Sequence, residues 1–279
     1  MDATRTSMPI GIFDSGVGGL TVFDAISRAL PNESLIYLGD TARVPYGTRS
    51  PETVRTYALR VASLLFQMGI KALVVACNTA SAHGLEALKA RAQPLGLPVL
   101  GVIKPGVERA LASGSARRIA VLGTEGTIRG GAYQNALHTA DPSLEVTAIA
   151  CPLFVSLAEE GWTEGQVADL VAERYLSPLQ SPDTVVLGCT HYPLLADVIA
   201  KQLPQSRLID SATAVAGALS QLLSAQGLEN PGNTPTTRRF LVTDNVERFR
   251  TVGRRFLSSA LDPIELVDVT EPTAEFAEP

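Results

Sequence analysis

The chain is poor in the residues that build metal sites and disulfide frameworks. It holds three cysteines, Cys77, Cys151 and Cys189, and three histidines, His83, His138 and His191, in 279 residues. No C-x-x-C pair occurs, so a structural zinc site has no spacing to rest on. An odd, widely spaced set of cysteines argues against a disulfide framework. The histidines are scattered, with no H-E-x-x-H pattern, and no metal is predicted. No apolar run approaches the length of a membrane span. The opening stretch, 1–7, is short and polar and lacks the basic and apolar regions of a signal peptide. We therefore expect a soluble cytoplasmic protein with no membrane partner. Excess positive charge is missing too. A formal net charge of −5 argues against a general nucleic-acid binder. A small anionic ligand stays open, because backbone N–H groups can bind one.

What is present is enough apolar material for a sizeable core. Hydrophobic residues make up 46% of the chain, which suits one large α/β domain or two smaller ones. Strand and helix patterns alternate. The spacing predicts strands over 10–13, 34–38, 71–76 and 98–102, with helices over 20–30, 51–68 and 81–92 between them. The pattern then begins again, with strands over 118–122, 145–150, 184–188 and 207–209 and helices over 132–138, 163–175 and 194–202. A Gly, Pro, Asn and Thr-rich stretch, 227–237, reads as a surface loop. A strand, a helix and a strand over 239–243, 246–257 and 264–269 complete the first unit. The expected fold is α/β, with two similar doubly wound lobes, mostly parallel sheets and the active site in the cleft between them. One lobe spans 1–101 plus 210–270 and the other 102–209. The acidic tail, 271–279, is expected to be disordered.

Two cysteines share one local setting. Cys77 ends Ala72-Leu73-Val74-Val75-Ala76 and precedes Asn78-Thr79-Ala80. Cys189 ends Val185-Val186-Leu187-Gly188 and precedes Thr190-His191-Tyr192. Each stands where a buried strand stops, and in an open parallel sheet ligands bind just beyond such ends. A lone cysteine at a strand end is more often a small buried hydrophobe. A repeated setting with polar escorts, and a helix N-terminus close by to favour the thiolate, weighs against that reading. Two thiols on one cavity suit removal of a proton by one and return of a proton by the other. Cys151 has no polar escort and belongs to the core.

Asp14-Ser15-Gly16-Val17-Gly18-Gly19 is a tight strand-to-helix turn. It is neither G-x-G-x-x-G nor a P-loop, so a nucleotide site is poorly supported. Its bare N–H groups suit a carboxylate, and Asp14 suits either a substrate ammonium or the orientation of a thiol. His191, beside Cys189, suits hydrogen bonding to substrate or tuning of that thiol. Glu159 and Glu160 form an acidic pair before Gly161, a pattern that is usually solvated. Tyr46 and Gly47, after Pro45, read as a surface turn or as a cover over a ligand.

Four blocks carry a resemblance. Ile10-Gly11-Ile12-Phe13-Asp14-Ser15-Gly16-Val17-Gly18-Gly19-Leu20-Thr21 resembles the opening signature of the bacterial glutamate racemases, of the aspartate/glutamate racemase family. Tyr37-Leu38-Gly39-Asp40-Thr41-Ala42-Arg43-Val44-Pro45-Tyr46-Gly47 resembles their second block. Val75-Ala76-Cys77-Asn78-Thr79-Ala80-Ser81 and Leu187-Gly188-Cys189-Thr190-His191-Tyr192-Pro193-Leu194 resemble their two active-site blocks. The resemblance runs from about Pro9 to Val269. It implies a cofactor-independent racemase that interconverts L- and D-glutamate, the D-isomer serving peptidoglycan synthesis. It assigns the two bases to Cys77 and Cys189, assisted by Asp14 on one side and by Glu159 and His191 on the other. It places substrate contacts at Asp14, Ser15, Tyr46, Gly47, Asn78, Thr79, Thr190 and His191, with Thr124 and Thr127 near the substrate carboxylate. It allows a homodimer. Lys104 and Ser156 depart from the pattern, without touching the thiols. An aspartate racemase, an arylmalonate-decarboxylase-like enzyme and a non-catalytic binding protein are the rival readings.

Overall fold

A computed structural model describes residues 3–112, 114 and 116–269. The predicted tail, 271–279, lies outside the described residues. The chain opens with α1 (Ala3–Ser7), β1 (Ile10–Asp14), α2 (Leu20–Ala29), β2 (Leu35–Gly39), α3 (Pro51–Gln67), β3 (Ala72–Val75), α4 (Asn78–Ala92), β4 (Val99–Gly101) and α5 (Ile103–Leu111). It continues through β5 (Arg118–Gly123), α6 (Glu125–Arg129), α7 (Ala132–Ala140), β6 (Glu145–Ala150), α8 (Leu153–Glu160), α9 (Gly165–Leu176), β7 (Thr184–Gly188), α10 (Ala196–Gln202) and β8 (Arg207–Asp210). The last elements are α11 (Ser211–Gln226), β9 (Arg238–Val242), α12 (Val246–Gly253) and β10 (Ile264–Leu266).

The strands form two sheets, in the orders β10-β9-β2-β1-β3-β4 and β6-β5-β7-β8. Every strand pair is parallel. The run β2-β1-β3-β4 of the first sheet has the same order as β6-β5-β7-β8, so the two lobes repeat one topology. In each lobe the order reverses at the central pair, β1 with β3 and β5 with β7. Loops leaving those strand ends part to opposite faces and leave a crevice between them.

The apolar interior has three parts. One joins the lobes, with Ile10 and Ile12 of β1, Ile119 and Val121 of β5, and Leu219 of α11 in a single cluster. A second lies on the outer face of the first sheet and a third on the outer face of the second.

Among the described residues, five helices went unread in the sequence: α1, α5, α6, α8 and α11. Pro105 and Gly106 suggest a break, yet α5 carries Pro105 in its first turn, where a missing N–H is not needed. The α11 segment is so rich in small residues that its apolar stripe has little contrast with the other faces. Glu159 lies on α8, not in a turn before Gly161. The helix after Cys77 begins at Asn78, three residues earlier than the spacing suggests, and the predicted ends of α12 and β10 are too long.

Candidate active site

Asp14 ends β1 and is wholly buried. Its Oδ2 accepts from the Gly16 N–H at 2.9 Å, while its Oδ1 is buried without a partner. Burial raises its carboxyl above the usual range, against the pull of the Gly16 N–H and of nearby His191. Gly19 must be glycine here, since a Cβ there would lie 2.4 Å from that of Asp14.

Cys77 follows β3 and caps α4, its Sγ accepting from the Ala80 N–H at 3.4 Å. Burial pushes its thiol up to about 12, with the Asp14 charge adding to the rise and hydrogen bonds from Ser15 and Ala80 opposing it. A neutral thiol is the stable state in that setting.

The first turn of α4 presents Asn78 and Thr79. Asn78 Oδ1 accepts from the Tyr133 hydroxyl at 2.7 Å, while its Nδ2 is buried with no partner. Thr79 Oγ1 lies 2.8 Å from Thr124 Oγ1 and 3.1 Å from Thr127 Oγ1, so three hydroxyls join the lobes. Tyr46 turns its hydroxyl away to Asp40 Oδ2 at 2.6 Å and leaves its ring at the cavity wall.

In the second lobe Cys189 follows β7. Its Sγ lies 3.8 Å from His191 Nδ1, and His191 Nε2 lies 3.2 Å from Glu159 Oε1. Arg248 Nη2 donates to Glu159 Oε2 at 3.1 Å. Burial disfavours the imidazolium, but hydrogen bonds to Cys189 and Glu159 outweigh it and hold His191 up at about 10. His191 is therefore charged at neutral pH, and a cation beside a sulfur stabilises negative charge on it.

Both thiols open on one cavity of about 190 Å³. Ser15, Tyr46, Gly47, Asn78, Thr79, Thr124, Glu159, Thr190 and His191 line it with them. Asp14 and Thr127 do not reach it; both are fully buried behind its wall. Cys151 sits in the core of the second lobe, away from the cavity. The sequence reading did not assign Val44, Pro45, Thr48, Pro152, Val155 or Ser156 to the lining. It also missed Arg248, whose 89-residue separation from Glu159 leaves no local trace. Among the described residues, no group of three or more His, Cys, Asp or Glu side chains is placed to hold a metal ion. Among them, too, no helix is long and apolar enough to cross a membrane.

The arrangement pairs a sulfur kept neutral by burial with a sulfur beside an imidazolium, and both face one small void. Two sulfurs in unlike surroundings thus face whatever molecule the void holds.

Comparison with known proteins gives the chain a family. Residues 10–219 match the model of the Asp/Glu/hydantoin racemase family. A glutamate racemase of Geobacter metallireducens is 52% identical over 263 residues, 93% of this chain and 96% of that one. A glutamate racemase of Chlorobaculum parvum is 48% identical, again over 93% of this chain and 96% of the relative. The crystal structure of the Francisella tularensis glutamate racemase in complex with D-glutamate superposes with a TM-score of 0.90. It has 38% identity and covers 95% of this chain and 99% of its own.

Proposed function

The chain belongs to the Asp/Glu/hydantoin racemase family, and from that premise we propose that it interconverts L- and D-glutamate through Cys77 and Cys189. The observation that carries the proposal is the opposed electrostatic setting of two thiols on one cavity. In the L-to-D direction Cys189, as thiolate, takes the α-proton on one face. The electron pair stays on carbon, and the Cys77 thiol returns a proton on the other face. Cys77 is left as thiolate and Cys189 as thiol, ready for the reverse reaction or for exchange with water.

The carbanion is the difficult species, because an amino-acid α-proton is very weakly acidic. Hydrogen-bond donors around the carboxylate lower that barrier. The unpaired Asn78 Nδ2 supports a role as one of them, together with Thr79, Ser15, Thr190 and the N–H groups at the start of α4. Glu159 and His191 assist Cys189. Asp14, behind Cys77, keeps that thiol protonated until the carbanion needs it. Tyr46, Gly47 and Thr124 complete the contacts with substrate, and Thr127 holds Thr79 and Thr124 in place. The reaction uses no cofactor. The cavity lies between a lobe of 1–101 with 210–270 and a lobe of 102–209. In the cell the product is D-glutamate for peptidoglycan, made in the cytoplasm.

The test follows optical rotation by circular dichroism in deuterated water. Solvent deuterium enters at the α-carbon of both enantiomers with the parent chain. Cys77→Ser and Cys189→Ser each lose racemisation while keeping the fold. Full activity in either variant ends the two-base reading. Faster turnover of aspartate than of glutamate ends the substrate assignment.

A further inference from the structure

We infer that Arg248 is a positioning residue for the reaction at Cys189. From α12, which packs on the first sheet's lobe, it reaches across to the second lobe and fixes Glu159 against His191. The inference rests on the racemase reading above, since it assigns a role within that reaction.

Glu159 uses its two oxygens separately. Oε1 meets His191 Nε2 at 3.2 Å and Oε2 meets Arg248 Nη2 at 3.1 Å. A carboxylate anchored through one oxygen swings about its last bonds, whereas a second anchor fixes its plane. Fixing is needed here, because the Glu159 side chain is 27% exposed and water competes for it. The same segment of chain makes two further contacts with this pair. The Arg255 guanidinium donates to the Glu159 carbonyl, and the Phe256 ring stands edge-on to the His191 imidazole at 5.2 Å.

The base of Arg248 is itself fixed. Its N–H donates to Asn245 Oδ1 at 3.0 Å, and Asn245 caps α12 in the left-handed region at φ 47°. A non-glycine residue is uncommon there. Arg248, with its side chain 57% exposed, does not fill the core. An exposed ion pair contributes little to folding stability, so this one is better explained by what it orients.

The charged groups facing His191 are Cys189 from its own loop, Glu159 from α8 and Asp14 from the end of β1. Behind Glu159 stand Arg248 and Arg255. Two effects of removing Arg248 then oppose each other. As a mere neighbouring cation it disfavours the imidazolium, so its loss raises the His191 midpoint. As a positioning residue it keeps Glu159 on His191, so its loss lowers that midpoint. The sign separates the two roles.

The experiment is a proton-NMR titration of the His191 ring in the full chain, with His83 and His138 as internal references. It is paired with kinetics of the parent, Arg248→Gln and Arg248→Lys. In Arg248→Gln the His191 midpoint falls by about one pH unit. There kcat/KM falls about tenfold, as expected for a misaligned acid–base partner. The fall is equal in both directions, because the enantiomers have equal free energy. Arg248→Lys keeps a cation within reach of Glu159 and restores most of both values. A His191 midpoint that holds or rises in Arg248→Gln, or an unchanged kcat/KM, overturns the inference. The NMR arm reads the positioning without turnover. A parent chain that fails to racemise glutamate therefore sinks the reaction and leaves this arm to be judged by itself.

Discussion

At the scale of single residues, the chemistry turns on making two identical side chains unlike. Cys77 is desolvated beside Asp14, while Cys189 faces a charged His191. On the two-base proposal, Cys189 removes the proton and Cys77 delivers one. Activity should then fall as His191 loses its proton near pH 10, an alkaline limb visible in kcat/KM against pH. A profile flat through pH 11 would speak against that role for His191. A second residue-scale expectation concerns Asn78. The Tyr133 hydroxyl holds its Oδ1, which on the proposed reading leaves the unpaired Nδ2 for the ligand. Tyr133→Phe removes a bond of about 1 kcal/mol and lets the amide flip, so kcat/KM should drop about fivefold. Steady-state rates on both enantiomers check this, and an undiminished value removes Tyr133 from the account.

At the scale of elements, the site is made of strand-to-helix junctions. Each lobe contributes the ends of its two central strands, where the sheet order reverses. Because Cys77 is itself the cap of α4, the free N–H groups of that helix begin immediately after the thiol. The junctions of the two lobes are closely fitted. A Cβ on Gly18 would lie 2.3 Å from Thr190 Oγ1 and 2.4 Å from His191 Nδ1. Gly18→Ala must therefore displace the Thr190 and His191 side chains beside Cys189. A displacement on the order of 1 Å at a reacting group can cost about a hundredfold in rate. We expect that loss in kcat/KM with the far-ultraviolet spectrum unchanged. Parent-like kinetics in Gly18→Ala would mean that the loops are not held in register by this contact.

At the scale of the whole molecule, the lobes are joined by a shared apolar cluster on one side, while the cavity lies where their strand ends converge. Thr21 Oγ1 donates to the Thr190 carbonyl at 3.1 Å and adds a polar tie beside the Cys189 loop. Two buried titrations then set how the fold responds to alkali. The His191 midpoint is raised from 6.5 to about 10 in the folded chain. Its contribution to stability is full below pH 6.5 and is lost as pH rises through about 10. Cys77 is raised from 9.0 to about 12, so its contribution is full below pH 9 and is lost through about pH 12. Urea midpoints should decline steadily from neutral pH upward. Cys77→Ser should remove the upper part of that decline and His191→Asn the lower. Midpoints independent of pH up to 11 would contradict both burial arguments.

The sequence by itself determined that strand and helix alternate in two similar units. It also showed that Cys77 and Cys189 end corresponding strands with polar residues after them. Strand β7, for example, was readable because a buried parallel strand needs an unbroken apolar run, and Thr184–Gly188 supplies one. Local cues failed where packing outweighed them: at α5, with Pro105 in its first turn, and at α11, where small residues blur the buried stripe. Only the tertiary structure decided that Asp14 and Thr127 stand behind the cavity wall, and that Arg248 closes the chain to Glu159. The physical reason is range. Hydrophobic periodicity and capping act over a few residues and leave a trace in order. Burial and the pairing of charges depend on which distant segments meet, and only the folded chain brings those together.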